Sequence, residues 1–130
     1  MASSLIKVLL VEDDEDDFVI AQDHFFHLPG GRFQLDWVCT YPEAVVEVAK
    51  HLHDLYVFDY RLGNDNGLDL LEEVRAKGCK NPIIMWTRFV DRGLEAKARR
   101  AGANGFFLKS QVTPEILERA LLTTAGQNSV

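Results

Sequence analysis

Three observations predict a single α/β domain built on a parallel sheet with helices on both of its faces. Short apolar runs alternate along the whole chain with segments whose apolar residues recur at helical spacing. Five such strand-helix units follow one another, and units of this kind pair their strands in parallel. The chain has 130 residues, about the commonest length for one domain. We therefore expect a five-stranded parallel sheet of the (βα)5, flavodoxin-like type.

The predicted strands are short apolar runs that contain β-branched and aromatic residues and are bounded by turn-forming residues. They span residues 5–11, 33–39, 55–58, 82–86 and 105–108. The third run is apolar throughout, which predicts a buried strand.

The predicted helices carry apolar residues three or four positions apart, and most have a recognisable start or stop signal. Helix one covers residues 14–28 and helix four residues 91–101. The signals of the other three helices are a capping box from Thr40 to Glu43, the cap Asn66 with a stop at Gly78, and Thr113-Pro114. The inward stripes comprise Phe18, Ala21, Phe25 and Leu28; Val45, Val48, Ala49 and Leu52; Leu70, Leu71 and Val74; Leu94, Ala98 and Ala101; and Leu117, Ala120 and Leu121.

Composition excludes several classes of protein. The net charge of -6 argues against direct binding of nucleic acid, because phosphate contacts need Lys and Arg. No apolar run approaches the ~20 residues of a membrane span, and the first residues lack the pattern of a signal peptide. Cys39 and Cys79 lack metal-ligand spacing, and we expect reduced, mostly buried thiols rather than a disulfide. These features predict a cytoplasmic protein without membrane contact.

Polar side chains of matching chemistry follow four of the apolar runs. Glu12 and Asp13 follow the first run, Asp59 the third, Thr87 the fourth and Lys109 the fifth. The carboxyl ends of the strands form the ligand-binding edge of an open α/β sheet. Three carboxylates there repel each other unless a hard cation joins them, and oxygen ligands in an open site suit Mg²⁺. A nucleophilic carboxylate, a cation, a hydroxyl and a lysine are the groups needed for phosphoryl transfer to a carboxylate.

The chain resembles the receiver domains of bacterial two-component response regulators over nearly its full length. The matching stretches occur in family order and at family spacing. They are Lys7–Asp14, Val57–Leu62, Gly67–Leu71, Pro82–Thr87 and Gly102–Lys109. We expect the domain to cover residues 1–125, and the last residues, 126–130, have the composition of a frayed tail or of the stump of a linker.

The resemblance also implies a role for each polar residue at the strand ends. Asp59 would accept the phosphoryl group, and Lys109 and Thr87 would bind that group. The Mg²⁺ ligands would be Glu12, Asp13, Asp59 and the backbone carbonyl of Arg61. The domain would then be a switch, not an enzyme acting on other substrates, because it catalyses only its own phosphorylation and dephosphorylation.

The resemblance further implies how the signal enters and leaves the domain. The phosphoryl group would come from a histidine kinase or a phosphotransfer protein. Thr87 and Phe106, at the family's switch positions, would move inward together and change the face formed by helix four, strand five and helix five. That face would contact a downstream protein or an attached output domain. A homodimer, if one forms, would use the same face from helix four to helix five.

Five positions depart from the family pattern. Arg88 replaces a small residue after Thr, where it could restrict access to the site or contribute charge to the phosphoryl group. Ser110 replaces a proline that follows a cis bond, so we expect a trans bond there. Gly63 replaces a common proline. Arg61 and Phe89 are unsuited to activating water, which favours a long-lived phosphorylated state.

Two alternative functions remain open. A receiver-like binding module that is not phosphorylated is consistent with Arg88 and Ser110, although the five polar residues at the strand ends argue against it. A phosphatase with an aspartyl nucleophile would need a second acid where the chain has Arg61.

Several charged and titratable residues have simpler interpretations outside the site. We expect the acidic run from Glu15 to Asp17 to be the solvated start of helix one. We expect Tyr60 and Trp86 to be packing residues. Surface or helix-end positions are predicted for the histidines, which are His24, His27, His51 and His53.

Overall fold

A computed structural model describes residues 5–28, 33–88 and 93–126. They form one parallel five-stranded sheet, in the spatial order β2-β1-β3-β4-β5. Its strands are β1 (Ile6–Val11), β2 (Phe33–Val38), β3 (Leu55–Asp59), β4 (Ile83–Thr87) and β5 (Gly105–Leu108). The predicted fold class is therefore confirmed. The strand order reverses between β1 and β3, and this switch point is where such sheets bind ligands.

The helices alternate with the strands as the sequence predicts. They are α1 (Glu15–Phe26), α2 (Tyr41–Ala49), α3 (Gly67–Ala76), α4 (Leu94–Ala101) and α5 (Pro114–Gly126). Three predicted caps are confirmed: the Thr40 hydroxyl accepts from the Glu43 N–H at 3.2 Å, Asn66 Oδ1 from the Asp69 N–H at 2.8 Å, and the Thr113 hydroxyl from the Ile116 N–H at 3.2 Å. Each bond satisfies one of the N–H groups that a helix start leaves unpaired.

Two hydrophobic clusters cover the two faces of the sheet. Alternate residues of β1 divide between them, because successive side chains of a strand point to opposite faces. Leu9 packs with the buried residues of α2, α3 and α4. Leu10 packs with those of α1 and α5. Because both faces are covered, β3 and β4 are buried at every position, as predicted for the third run.

A few local predictions need correction. Strand β1 begins one residue later than predicted, and strand β2 ends one residue earlier, before Cys39. Both cysteines are free thiols; Cys79 is buried as expected, whereas Cys39 is exposed. Helix α2 ends at Ala49, so Leu52 lies outside the predicted stripe and is exposed. The turn after β3 forms a short antiparallel hairpin, Arg61–Leu62 with Asp65–Asn66, that the sequence did not predict. Three features named in the sequence analysis lie outside the described residues. They are the predicted start of helix four at residue 91, the residue Phe89, and the end of the predicted tail.

The backbone after β5 follows the expectation for a non-proline residue. The described segments contain no cis peptide bond, so the bond between Lys109 and Ser110 is trans. A single 3₁₀ turn, Lys109–Gln111, connects β5 to α5. Within those segments, no helix is long and apolar enough to cross a membrane.

Candidate functional site

Three carboxylates meet at the switch point of the sheet. Val11 pairs with Phe58 in the register of β1 and β3, so Glu12, which follows β1, lies beside Asp59, the last residue of β3. Both are buried, whereas Asp13 is exposed. One ligand oxygen from each of the three lies within 4.8 Å of the others. The sequence prediction that these three side chains converge is confirmed.

Backbone hydrogen bonds hold the two acids after β1 in place. The Glu12 N–H donates to the carbonyl of Val38 at 3.1 Å, and Trp37 Nε1 donates to the Glu12 carbonyl at 2.7 Å. The Gly63 N–H, from the turn after β3, donates to Asp13 Oδ2 at 2.9 Å. The backbone of Glu12 and the carboxylate of Asp13 are therefore held by the protein's own hydrogen bonds.

Gly67 brings the start of α3 against the backbone of Asp59. Its N–H donates to the carbonyl of Tyr60 at 2.6 Å. A Cβ atom at position 67 would lie 2.1 Å from the Asp59 carbonyl oxygen. Only glycine allows this close approach, so Gly67 is a supporting residue of the site.

Lys109 provides the internal positive charge of the site. Its Nζ lies 2.7 Å from Glu12 Oε1, 2.7 Å from Asp17 Oδ2 and 3.1 Å from Asp59 Oδ2. The ammonium also lies 5.0 Å from the centre of the Trp86 ring. Trp86 is buried in the cluster of α1 and α5, so it packs as predicted and in addition faces the lysine.

The electrostatics of the buried groups indicate a shortage of positive charge. Burial, and then the Asp59 carboxylate beside it, raise the pKa of Glu12 well above its usual range. Burial likewise raises the pKa of Asp59, although Lys109 opposes the shift. Burial alone would lower the pKa of Lys109, but its hydrogen bonds to Asp17 and Glu12 outweigh that effect, and the pKa is raised. The lysine therefore stays charged, and the carboxylates remain short of a cation.

A divalent cation fits this set of donors. Every side-chain ligand of the triad is a carboxylate oxygen, and such oxygens suit a hard cation. Asp13 is exposed, so an ion bound there could keep several of its waters, as Mg²⁺ does. The residues that could hold the ion are Glu12, Asp13 and Asp59. Coordination by the Arg61 carbonyl stays a prediction.

Asp17 is part of the site, and its interpretation as a solvated helix-start residue is wrong. Its side chain is only 7% exposed. It accepts from Lys109 Nζ at 2.7 Å and from Arg88 Nε at 2.9 Å. A second Arg88 nitrogen, Nη2, pairs with its other oxygen. These two cations lower the pKa of Asp17 although burial acts to raise it.

The missed role of Asp17 had a signal in the sequence. Asp17 lies four residues before Ala21, which is buried in the inward stripe of α1. Positions four apart lie on the same helix face, so Asp17 had to face the sheet. Its neighbours Glu15 and Asp16 are exposed as predicted.

The charged groups surround one cavity at the sheet edge. Its volume is about 240 Å³. Its lining residues are Asp13, Asp14, Asp17, Asp59, Arg61, Arg88 and Lys109. Arg88, whose side chain is 55% exposed, therefore opens onto the same space as Asp59. The cavity can admit a small charged group and hold it between acidic and basic side chains.

The two predicted switch residues occupy neighbouring strands. Thr87 is fully buried at the end of β4, and Met85 of that strand pairs with Phe106 of β5. Phe106 is half-buried against the cluster of α2, α3 and α4. Their coupled movement stays a prediction, as does the phosphoryl contact of Thr87.

One histidine differs from its predicted surface or helix-end position. The side chain of His53 is 3% exposed, and its Nε2 lies 2.7 Å from Asp36 Oδ2. It also makes an edge contact with the ring of Tyr56. The residue therefore links β2 and β3 at the end of the sheet opposite the carboxylates, since it precedes β3.

Comparisons with known proteins agree with this geometry. The family model described as the response regulator receiver domain matches residues 8–121. The phosphate regulon transcriptional regulatory protein PhoB of Rhizobium meliloti is 27% identical over 117 residues, which are 88% of this chain and 50% of PhoB. The two-component response regulator PhoP of Pseudomonas aeruginosa is 30% identical over 105 residues, which are 80% of this chain and 45% of PhoP. The chain thus spans about half the length of these relatives.

Solved structures show the same fold. The receiver domain protein of Methanospirillum hungatei has a TM-score of 0.82 and 22% identity, covering 95% of this chain and 96% of that chain. The receiver domain of the sensor histidine kinase PA1611 of Pseudomonas aeruginosa has a TM-score of 0.81 and 24% identity, covering 95% of this chain and 99% of that chain. That structure has a magnesium ion coordinated in its active site cleft.

Proposed function

The chain belongs to the family of response regulator receiver domains, and from this premise we propose that it is a phosphorylation switch whose acceptor is Asp59. The observation that carries the proposal is the convergence of Glu12, Asp13 and Asp59 on one point, with Lys109 Nζ 3.1 Å from Asp59 Oδ2. A carboxylate nucleophile, a cation site and a lysine are the parts that phosphoryl transfer to a carboxylate requires.

The donor would be a phosphohistidine on a histidine kinase or a phosphotransfer protein. An oxygen of Asp59 attacks the phosphorus, and an O–P bond forms while the N–P bond of the donor breaks. The electron pair of that bond stays on the imidazole, which takes up a proton from solvent. The products are an aspartyl phosphate and a free histidine.

The residues around Asp59 would support this transfer through position and charge. Magnesium, held by Glu12, Asp13, Asp59 and the Arg61 carbonyl, would neutralise charge on the carboxylates and the phosphoryl oxygens. Lys109 would exchange a carboxylate contact for a phosphoryl oxygen, and the Thr87 hydroxyl would donate to another. The domain thereby assists only its own phosphorylation and dephosphorylation.

The output would be a change of contact surface. Inward movement of Thr87 and Phe106 would alter the face of α4, β5 and α5. That face would contact a downstream protein or an output domain, and it would be the interface of a homodimer if one forms. We expect no direct contact with nucleic acid by residues 1–125 themselves, because of their acidic balance. We also propose a cytoplasmic location, since the similar proteins are transcriptional regulators.

The test is intact-mass measurement after incubation with Mg²⁺ and acetyl phosphate. We expect a phosphoryl adduct on the wild-type chain that needs Mg²⁺ and disappears in Asp59→Asn. A matched control is Asp65→Asn, which removes an exposed carboxylate from the hairpin near the site and should keep the adduct. An adduct on Asp59→Asn would place the acceptor elsewhere. A wild-type chain that binds Mg²⁺ but never gains the adduct would contradict the proposal and favour the phosphate-independent binding module.

A further inference from the structure

Arg88 has an arrangement that the phosphorylation switch described above does not use. Its guanidinium donates to Asp17 through Nε at 2.9 Å and to Asp14 through Nη2 at 3.1 Å. Asp17 also accepts from Lys109 at 2.7 Å, and Lys109 in turn contacts Asp59 at 3.1 Å. A chain of three hydrogen bonds thus connects Arg88 to the acceptor carboxylate.

We propose that Arg88 is a second phosphoryl-binding cation, which is held by Asp17 and Asp14 and exchanges its Asp14 contact for a phosphoryl oxygen when Asp59 is phosphorylated. This inference rests on the proposed function. It differs from a purely obstructive role, in which Arg88 would only narrow the entrance to the cavity.

Replacing the Arg88–Asp14 contact by a phosphoryl contact costs little, because that ion pair is exposed. The side chains of Arg88 and Asp14 are 55% and 42% exposed, and exposed ion pairs contribute little to stability. Water can solvate Asp14 when the guanidinium turns away. A guanidinium also has five N–H donors in a planar fork, so Arg88 can keep a bond to the buried Asp17 while another nitrogen reaches a phosphoryl oxygen.

The gain comes from charge and geometry. Phosphorylation adds negative charge to a cavity already lined by four aspartates, in which Lys109 is the cation that contacts Asp59. A guanidinium binds phosphoryl oxygens in a directed, two-pronged manner that an ammonium cannot copy. Arg88 lines the same cavity of about 240 Å³ as Asp59, so it borders the space into which a phosphoryl group on Asp59 would project.

The role predicts opposite effects on two ligands of the same site. Beryllofluoride is a suitable probe, because it binds an aspartate oxygen as an analogue of a phosphoryl group. Replacing Arg88 by Gln removes a cation, so anion binding should weaken while Mg²⁺ binding should strengthen. Replacing Asp17 by Asn removes a negative charge, so beryllofluoride binding should strengthen while Mg²⁺ binding should weaken. A misfolded variant would bind both ligands more weakly, and this result distinguishes misfolding from the proposed role.

The experiment measures the dissociation constants of Mg²⁺ alone, and of beryllofluoride at saturating Mg²⁺, on the full chain. We expect Arg88→Gln to raise the dissociation constant of beryllofluoride about ten-fold, which corresponds to the loss of one charge-assisted hydrogen bond. Arg88→Lys should raise it less. Matched controls are Arg100→Gln on α4 and Asp16→Asn beside Asp17, both at exposed positions, which should behave as wild type.

The outcomes separate this inference from the proposed function. Two results together would overturn only the role of Arg88. In the first, the wild type binds beryllofluoride and Asp59→Asn does not. In the second, Arg88→Gln binds beryllofluoride as tightly as Arg100→Gln does. Tighter beryllofluoride binding by Arg88→Gln would show an obstructive side chain instead. An Asp17→Asn variant that binds beryllofluoride no more tightly than Asp16→Asn would overturn the resting role of Asp17. A wild-type chain that neither binds beryllofluoride nor gains a phosphoryl adduct would overturn both proposals.

Discussion

Replacing Gly67 by Ala should destabilise the fold and displace the proposed acceptor, because the space for a Cβ atom is filled by backbone. The new atom would lie 2.1 Å from the Asp59 carbonyl oxygen and 3.0 Å from its carbonyl carbon. Neither neighbour is a side-chain end that could rotate away. The N–H of Gly67 also donates to the Tyr60 carbonyl at 2.6 Å, which ties the start of α3 to this turn.

The expected magnitude follows from two opposing effects. Overpacking of a tight site costs about 1–3 kcal/mol, and a contact as short as 2.1 Å to backbone belongs at the upper end. Alanine is favoured over glycine in a helix by at most about 1 kcal/mol, which offsets part of that cost. We expect a net loss of about 2 kcal/mol in the free energy of unfolding.

Urea unfolding measures this loss, and Gly93→Ala provides the matched control. A Cβ at position 93, just before α4, would meet nothing nearer than Lys97 Cε at 3.8 Å, so the change should stay within about 0.5 kcal/mol. Mg²⁺ affinity should fall in Gly67→Ala and stay unchanged in Gly93→Ala. If the two variants were equally stable and bound Mg²⁺ equally, the packing argument for Gly67 would be refuted.

Two further predictions concern the carboxylates of the site. The pKa of Glu12 is raised above its unfolded value of 4.5, so its contribution to stability is full below that value and is lost as the pH rises through the folded pKa. We therefore expect the free energy of unfolding, measured with urea in EDTA, to fall between about pH 5 and pH 8, and to fall less steeply in Glu12→Gln. Equal pH dependence in the two proteins would contradict the raised pKa of Glu12. Mg²⁺ at about 100 times its dissociation constant should stabilise the wild type by about 2.7 kcal/mol, seen as a raised melting temperature. Asp13→Asn should lose most of that gain, whereas Asp23→Asn, on the exposed side of α1, should keep it.

The fold and the central site could be predicted because their signals are local. Four of the five strands are apolar runs with a chemically active residue at or directly after their carboxyl end, and parallel strands bring such residues to one edge. The positions of Glu12, Asp59 and Lys109 followed from that rule. The rule needs no knowledge of how the helices pack.

What the sequence did not predict depends on distant partners. Asp17 is buried because Arg88 and Lys109, 71 and 92 residues away, neutralise it. The His53 ring is buried with its Nε2 2.7 Å from Oδ2 of Asp36, a residue of β2 that lies 17 positions away in the sequence. An ionisable residue can be buried when a partner compensates its charge, and a partner that is remote in sequence is invisible to a local pattern. Leu52 shows the reverse case, since the end of α2 at Ala49 leaves it exposed although its spacing suited the stripe.

The placement of charges explains how one cavity can serve both a cation and a phosphoryl group. Glu12 and Asp59 are buried beside a single lysine, so the central carboxylates are best satisfied by a divalent ion. If that ion is bound and Asp59 is phosphorylated as proposed, the half-exposed Arg88, which lines the same cavity, can supply further positive charge. Asp17 contacts both Lys109 and Arg88, so movement of either cation toward Asp59 changes the environment of α1. We therefore expect phosphorylation to be felt at the start of α1 as well as at the face of α4, β5 and α5.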